Sequence, residues 1–598
     1  MARKSDFRNI QDLFQSLKSE RDEHSPLWRS ISEQTTIPID VDNFHAHNRS
    51  NKSRQVDEHI DDPTSAIAVN QAGDFMLGVL WGTGEEVFNL KPSRYVKELA
   101  GDAELEEWYN FATEQVLFHM NHSKAGLNTS LKPYSYDQFA FGTSGIGTFP
   151  NKAFMNGVDH NALLFRPYGV DNIAIDEGKS GLVEYIFVVY NWRVNRIINE
   201  FATKDGVIDD MRLGQLPEAI QKAFRKKDYN REFQIVLGVL PRDDFSPRRK
   251  GKKGTRYRGV WFMDDPSENK IFREESYKEL PIAIARQIKV RNQVYGRAAG
   301  TMLLSTIRNV NFIVGTVIEI LEKLSRPALG IWGSSIFGDS VLDTSPDGLT
   351  VFNKALSGGD SPAFPLHDVG DPTGIINFLI PYLNEKIITA FKIDSLLDFN
   401  SQQEMTATES LQRFNIRDKS LAGLLTQQRT ELLDPTVIRS TSLLWDMDQL
   451  GVNPQKFPDI AQRVGKIRAE RVIPNAVLEV VADGRPWFEI EYNNELSRLK
   501  RTQGVENLLQ LIQTVSAIAV LFPPIIEAVD WHKLLKDANE NLDPNSQIIM
   551  EADEFKAKLE EMAQANQATQ QIAALQGAAQ AGKDLTQAQK NQQEANKG

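Results

Sequence analysis

The chain has 598 residues, of which 80 are acidic and 68 basic, for a formal charge of −12; 41% are hydrophobic and 25% charged. This is the composition of folded protein with length for about three or four domain-sized units, and its negative balance argues against a surface that grips nucleic acid over large areas by neutralising phosphates. There is no cysteine, which excludes disulfides, thiolate metal sites and a cysteine nucleophile and fits a reducing cytosol.

The start, MARKSDFRNIQDLFQSLKSERDE, reads as an amphipathic charged helix with no apolar run behind its basic residues. No secretory signal is expected, and the mature protein is expected to begin here. Helical patterning continues through AIAVNQAGDFMLGVLWG (66–82), an extended piece EEVFNLKPS (85–93) and the helix ELEEWYNFATEQVLFHMNHS (104–123). From about 135 to 290 the texture changes to short alternating runs such as LVEYIFVVYNW (182–192), REFQIVLGVLP (231–241) and RYRGVWFMDD (256–265), separated by turn residues, which predicts strands.

A long helix follows, with Ile307, Val310, Val314, Val317, Leu321 and Leu324 at alternating spacings of 3 and 4, Gly315 as its one internal breaker and Pro327 as its stop. Such a seam belongs to a helix packed along its length. After a loop-rich excursion of about 45 residues comes a second helix, TGIINFLIPYLNEKIITAF (373–391). So long a loop is read as a small domain of its own, carried on a stalk of the two helices. Pro381 lies inside the second helix and should kink it or move its start. A long helical region then begins at MTATESLQRFN and runs, with Pro435 as an interruption, to about Leu450; AVLEVVADG and WFEIEYN (476–493) predict a strand pair. Helices return from 495 to 560. In the Gln/Ala-rich tail, Phe555, Leu559 and Met562 hold heptad spacing, which predicts a helix to about Gly582 before a disordered end.

Two segments approach the length and apolarity of a membrane span. Residues 306–324 carry Arg308, Glu319, Glu322 and Lys323, and 505–522 contain Glu506, Asn507 and Gln513 before Pro523-Pro524, so neither is expected to cross a membrane.

Chemistry-bearing patterns are sparse. Gly178-Lys179-Ser180 lacks the glycine five residues earlier that a phosphate-binding loop requires, since position 173 is Ile, and it reads as a turn. GTSGIGTF (142–149) reads as tight backbone packing, and the pairs His45/His47 and His119/His122 as surface or core histidines without further metal ligands. Arg248, Arg249, Lys250, Lys252, Lys253, Arg256 and Arg258 form a basic run between two strand-like segments. It is read as a solvated hairpin loop, with contact to nucleic acid as the sharper alternative. No catalytic constellation, metal site or cofactor site is expected.

The order of elements resembles the portal, or head-to-tail connector, proteins of short-tailed, T7-like bacteriophages. The resemblance is carried by LPIAIARQIKVRNQVYGRAAG (280–300), a Pro-led strand reaching an Arg and then a Tyr-Gly-Arg corner that opens the stalk helix. It is carried also by MTATESLQRF (405–414), by QAGDFMLGVLWGTGEEVFNLKPS (71–93) and by RLKRTQGVENLLQLIQTV (498–515).

The resemblance implies an α+β, predominantly helical portal fold assembled as a dodecameric ring. It implies a wing at 1–297 and 405–495, stem helices at 298–325 and 373–391, a clip at 326–372 and a tunnel loop at 392–404. A crown at 496–545, a barrel helix at 546–582 and a disordered tail at 583–598 would follow. The function implied is a channel at one capsid vertex of the virion, assembled in the host cytoplasm, through which double-stranded DNA is packaged and ejected. The implied partners are other copies of the chain in a ring of about twelve, the terminase large subunit, the major capsid protein and scaffold, and tail adaptor and tail proteins. Asp394, Asp398, Gln402, Gln403 and Glu404 are candidate channel-lining residues, with Lys386 and Lys392 as weak basic rings, so that DNA slides rather than sticks. Trp332, Phe337, Asp339, Asp347 and Phe352 are candidate clip contacts for motor and tail, or else the small clip core. The competing readings are a packaging ATPase or nuclease, disfavoured by the failed phosphate loop and the lack of a metal-binding carboxylate cluster, and a membrane-associated scaffold using 505–522.

Overall fold

In a computed structural model, the chain divides into two compact units, Met1–Tyr492 and Asn493–Gly598. The structure describes residues 2–35, 37, 39, 60–82, 87–99, 102–204, 207–246, 251–265, 270–333, 343–353, 363–366, 372–391 and 423–492, all in the first unit. The expected helix start at 405–414, the crown, the barrel and the tail lie outside the described residues.

The opening amphipathic pattern is realised as a 34-residue helix, α1 (Ala2–Thr35). Phe7, Ile10, Phe14 and Leu17 fall on one stripe and meet Phe187, Val189, Val236, Val260 and Phe262, all buried. Each such side chain contributes about 1.5–3 kcal/mol on leaving water. The sheet beneath has five antiparallel strands in the order β8-β7-β6-β5-β4: Arg273–Tyr277, Tyr257–Met263, Glu232–Pro241, Val183–Arg193 and Ile173–Glu177. Arg21, further along α1, is fully buried and donates from Nε to the Val170 carbonyl at 2.9 Å.

Helices α2 (Thr64–Trp81), α3 (Asp102–Asn121) and α4 (Leu127–Phe141) follow. Gly142 ends α4 at φ +83°, and the chain turns directly into β2 (Thr143–Pro150), the centre of a three-stranded antiparallel sheet with β9 (Ile282–Arg286) and β3 (Leu163–Gly169). Glycines in and just before this strand allow close approach: a Cβ at Gly145 would sit 2.5 Å from the Ala283 carbonyl, and one at Gly142 2.7 Å from that of Gly296. Tight backbone packing was the expectation for 142–149. Gly178-Lys179-Ser180 is the turn between β4 and β5, as read from sequence, closed by the Gly178 N–H on the Leu182 carbonyl at 2.8 Å.

Pro381 and Pro435 act alike. Five-residue π-helical turns, Ile375–Leu379 and Arg429–Leu433, immediately precede α6 (Ile380–Ala390) and α7 (Asp434–Asp446), which carry Pro381 and Pro435 in their first turns. The wider turn is closed by i→i+5 bonds, Ile380 N–H to Ile375 O and Asp434 N–H to Arg429 O. It passes the chain across the missing proline donor without ending the helix.

One expectation is corrected. AVLEVVADG does not form a strand: Asn475–Ala482 is helix α8, entered from Pro474. A short apolar run does not distinguish a buried strand from a buried helix, and here it buries Ala476, Val477, Leu478 and Val480 on a helix. The other half of the supposed pair is a strand, β13 (Phe488–Tyr492), which joins β1 (Phe88–Pro92), with Phe88 opposite Tyr492. Tyr109 donates to the Trp487 carbonyl, and Trp108 Nε1 to the Leu450 carbonyl at 3.1 Å, anchoring this joint on α3.

Candidate functional site at the stem helix

The Tyr-Gly-Arg corner shapes the entry to the long helix. Tyr295 is buried against Trp28, ring centroids 5.1 Å apart, and His24. Gly296 donates to Thr143 Oγ1 at 2.8 Å and lies so close to Gly142 that a Cβ would overlap its carbonyl. Arg297 pairs by its backbone with Ile288 in both directions, at 2.9 and 3.1 Å. The helix α5 (Ala299–Ser325) begins here, with Thr301 Oγ1 accepting from the Ala298 N–H at 2.9 Å.

Strand β9, just before the corner, ends at Arg286, whose guanidinium is fully buried. It meets Glu431 of the π turn before α7, with Nη2 to Oε1 at 2.5 Å, and also Glu177 and the Gly181 carbonyl. Gln428 and Gln138 bridge the same helices and strands: Gln428 Nε2 donates to Gln138 Oε1 at 3.3 Å and to the Arg286 carbonyl at 3.2 Å. A polar core of this kind, closed by charge-assisted bonds, holds the root of α5 in one geometry.

Along α5 the seam divides. Ile307, Val310 and Val317 are buried and Val314 half-buried, whereas Leu321 and Leu324 stand 46% and 47% exposed. The buried half packs on α1, α4 and α6. Asn311 accepts the backbone N–H groups of Asp61 and Asp62 at 2.7 and 3.0 Å and donates to Gln34 at 3.2 Å, while Arg308 donates to Ser30. Gly315 is explained by the same contact, for a Cβ there would lie 2.4 Å from Asp61 Oδ2. These polar anchors were not foreseen; an Asn inside an apolar seam was the available signal. Other large apolar side chains exposed on α5 and its neighbour are Met302, Phe312 (75% exposed), Ile318, Phe378 (77%) and Tyr382. Ala299–Ser325 is long and apolar enough to cross a membrane, but Arg308 and Asn311 tie its flank to α1 and to Asp61 and Asp62.

Beyond α5 a three-stranded sheet forms. β10 (Leu329–Gly333) lies between a parallel β11 (Leu349–Asn353) and an antiparallel β12 (Ala363–Pro365). Trp332 and Phe352 are register partners, and Phe352 is half-buried with its ring 5.8 Å from that of Phe364, as in a small core. Asp347 is exposed and pairs with Arg326 at 3.3 Å. Phe337 and Asp339 lie outside the described residues, as do Lys392, Asp394, Asp398, Gln402, Gln403 and Glu404. Lys386 is exposed on α6, its Nζ 4.3 Å from the centre of the Tyr382 ring.

In the basic run, Arg248, Arg249 and Lys250 lie outside the described residues and Lys253 sits in a short 3-10 turn. Lys252 and Arg258 both pair with Glu274, at 3.1 and 3.0 Å, and Arg256 with Glu184 at 2.9 Å. These three side chains are thus offset by carboxylates of the same sheet. His119 is buried and accepts the Ala162 N–H on Nδ1 at 3.3 Å, a core role. Among the described residues no group of three or more His, Cys, Asp or Glu side chains is placed to hold a metal.

The family model of the bacteriophage head to tail connecting protein matches residues 8–543. The chain belongs to this family. Members are structural proteins rather than enzymes, in keeping with a chain whose sequence carries no phosphate-binding loop. The chain is 21% identical over 583 residues to the probable portal protein of Bordetella phage BPP-1, covering 97% of this chain and 95% of that protein. It is 21% identical over 471 residues to the portal protein of Salmonella phage epsilon15, covering 78% and 76%. A chain of the virion of a native gene transfer agent particle overlaps 70% of this connector and 94% of its own length at 13% identity, with a TM-score of 0.25, too low to carry an argument.

Proposed function

We propose that this connector is the portal subunit of a phage: copies close into a ring, with about twelve as the expected number, that forms the DNA channel at one capsid vertex. The observation that supports this most is the exposure of large apolar side chains along the stem, Leu321 and Leu324 where the seam of α5 runs past its cover, Phe312 and Ile318 elsewhere on α5, and Phe378 and Tyr382 beside it. Large exposed apolar patches belong to interfaces, and a head-to-tail contact between such faces closes a ring when the rotation per subunit divides a full turn.

On this reading α5 and α6 are the stem, the sheet of β10, β11 and β12 belongs to the clip, and the layers before and after form the wing. The segment 392–404 is the tunnel loop, and 496–545 and 546–582 the crown and barrel. The acidic tunnel-loop set, Asp394, Asp398 and Glu404, repels phosphates and so keeps a translocating duplex from binding at each step. The clip faces the terminase large subunit during packaging and tail adaptor and tail proteins afterwards, while the wing meets the major capsid protein and scaffold. ATP hydrolysis is the partner's. The assembled ring sits in the virion at the head-tail junction, after assembly in the host cytoplasm.

Native mass spectrometry of the purified chain, with negative-stain images down the symmetry axis, tests the reading. A closed ring of about a dozen copies with a central hole is expected. A monomer or dimer at every concentration overturns it.

A further inference from the structure

A cavity of about 410 Å³ lies at the edge strand of the five-stranded sheet, β8. Three cations line it, each from a different stretch of chain: Arg212 of the short helix Asp210–Leu213, Lys252 of the basic run and Arg273, the first residue of β8. One carboxylate, Glu274, lines it with them. Glu274 does not neutralise the lining, because its carboxylate is shared by Lys252 at 3.1 Å, Arg242 at 3.4 Å and Arg258 at 3.0 Å. Arg242 and Lys252 alone bring two positive charges to that one negative charge. Burial raises the Glu274 pKa, yet Lys252, Arg258 and Arg242 outweigh burial and hold it below its ordinary value, as a positive surrounding does. Arg212 meets Asp209 at 3.5 Å and Arg273 meets Glu275 at 2.7 Å. Each guanidinium has five N–H groups, more than one carboxylate takes up.

We propose that this cavity binds a small polyphosphate anion, recognised through its phosphates alone. Phosphate oxygens accept from a guanidinium fork two at a time and from an ammonium as a point charge, and Gln215, which also lines the cavity, adds amide donors. The volume is that of small-molecule pockets, and a chain of phosphates brings charge enough to answer all three cations. The aromatic wall does not offer a stacking face to a base. Phe201 and Phe272 are each only 7% exposed, and Phe201 already has Trp261 and Phe272 at 5.1 and 5.0 Å between ring centroids and the Arg273 guanidinium at 5.5 Å. A DNA duplex suits the site less, since it carries its phosphates on a broad rod that a cavity of this size does not admit, and the chain's charge of −12 repels it at long range. An occupant ties the stretch 212–215 and the basic turn to the edge strand. The site rests on this cavity and not on the ring reading.

The test is isothermal titration calorimetry of the full chain at low ionic strength, where charge recognition is least screened, with tripolyphosphate as the probe. Saturable binding of one tripolyphosphate per chain is expected, and neither ATP nor a short DNA duplex is expected to bind more tightly. Arg212→Gln and Lys252→Gln, both at exposed side chains, are each expected to weaken binding about tenfold, the worth of one charge-assisted hydrogen bond, with an unchanged melting temperature. Lys456→Gln, at an exposed lysine outside the cavity lining, is expected to leave binding as it was. Glu274→Gln, which removes the one negative charge in the lining, is expected to tighten it. The proposal is overturned if tripolyphosphate does not saturate, if Arg212→Gln and Lys252→Gln bind it as the wild type does, or if ATP or the duplex displaces it at lower concentration.

Discussion

Arg286 and Glu431, 145 residues apart, meet in the interior in three bonds: the Arg286 backbone N–H to Oε2 at 2.8 Å, Nε to Oε2 at 3.3 Å and Nη2 to Oε1 at 2.5 Å. This contact locks the strand that feeds the stem onto the helix that returns from it. Removing Arg286 strands the buried Glu431 carboxylate, at about 3–5 kcal/mol, whereas removing Glu431 leaves Arg286 its pairing with Glu177. Arg286→Met is therefore expected to lower unfolding free energy in urea by that amount, Glu431→Leu by less, and the two together by clearly less than the two single losses summed. Simple additivity in that cycle would contradict the coupling.

Gly142 answers for the turn between α4 and β2. An alanine there meets backbone atoms of Gly296 and Arg297 within 2.7 Å in a left-handed conformation. Strain of about 1–3 kcal/mol adds to an overpacking cost of about the same size. Gly142→Ala is expected to lower the melting temperature by more than Gly157→Ala, where φ is also positive but nothing lies within 4 Å of the added Cβ.

The exposed aromatic side chains of the stem should matter to assembly rather than to folding. Phe312→Asp and Phe378→Asp change side chains that the isolated subunit leaves in water. Circular dichroism and melting temperature are expected to stay near wild type, while sedimentation shifts from ring to monomer. Rings of normal mass in both variants would remove the interface from these side chains.

Protonation of His119 should cost stability. Burial holds its imidazole below the usual value, the hydrogen bond with Asn161 opposes this and His122 adds to it. The unfolded chain then binds more protons than the folded one between the depressed value and about 6.5, so stability is full above that pH and falls as pH drops through the window. His119→Leu is expected to flatten this part of the curve of melting temperature against pH. An unchanged slope would assign the dependence to other groups.

Element types were legible along much of the described chain because helix and strand periods are local. The stripe Phe7, Ile10, Phe14, Leu17 and the alternation of 231–241 each reveal one face of one element. Pro381 announced an irregularity in its helix, but in place of a moved start a π turn carries the helix past it, as another does at Pro435. At 476–482 the run was too short for its period to decide, and Pro474 before it was the overlooked helix-start signal. The stem seam was read correctly as a helix; which half is buried was not legible, since a repeat of 3 and 4 says that a face is apolar and not what covers it.

By itself the sequence determined the absence of thiol chemistry and of a phosphate-binding loop, the helices and strands of strong period, and enough ordered motifs to indicate the connector family. Tertiary structure alone decided that Phe88 pairs with Tyr492, that Asn311 receives Asp61 and Asp62, and that Arg286 finds Glu431. Periodicity names the face a residue occupies; the partner of a buried charge or an open strand edge is chosen by the packing of elements hundreds of residues apart, where every polar group removed from water must be met by another.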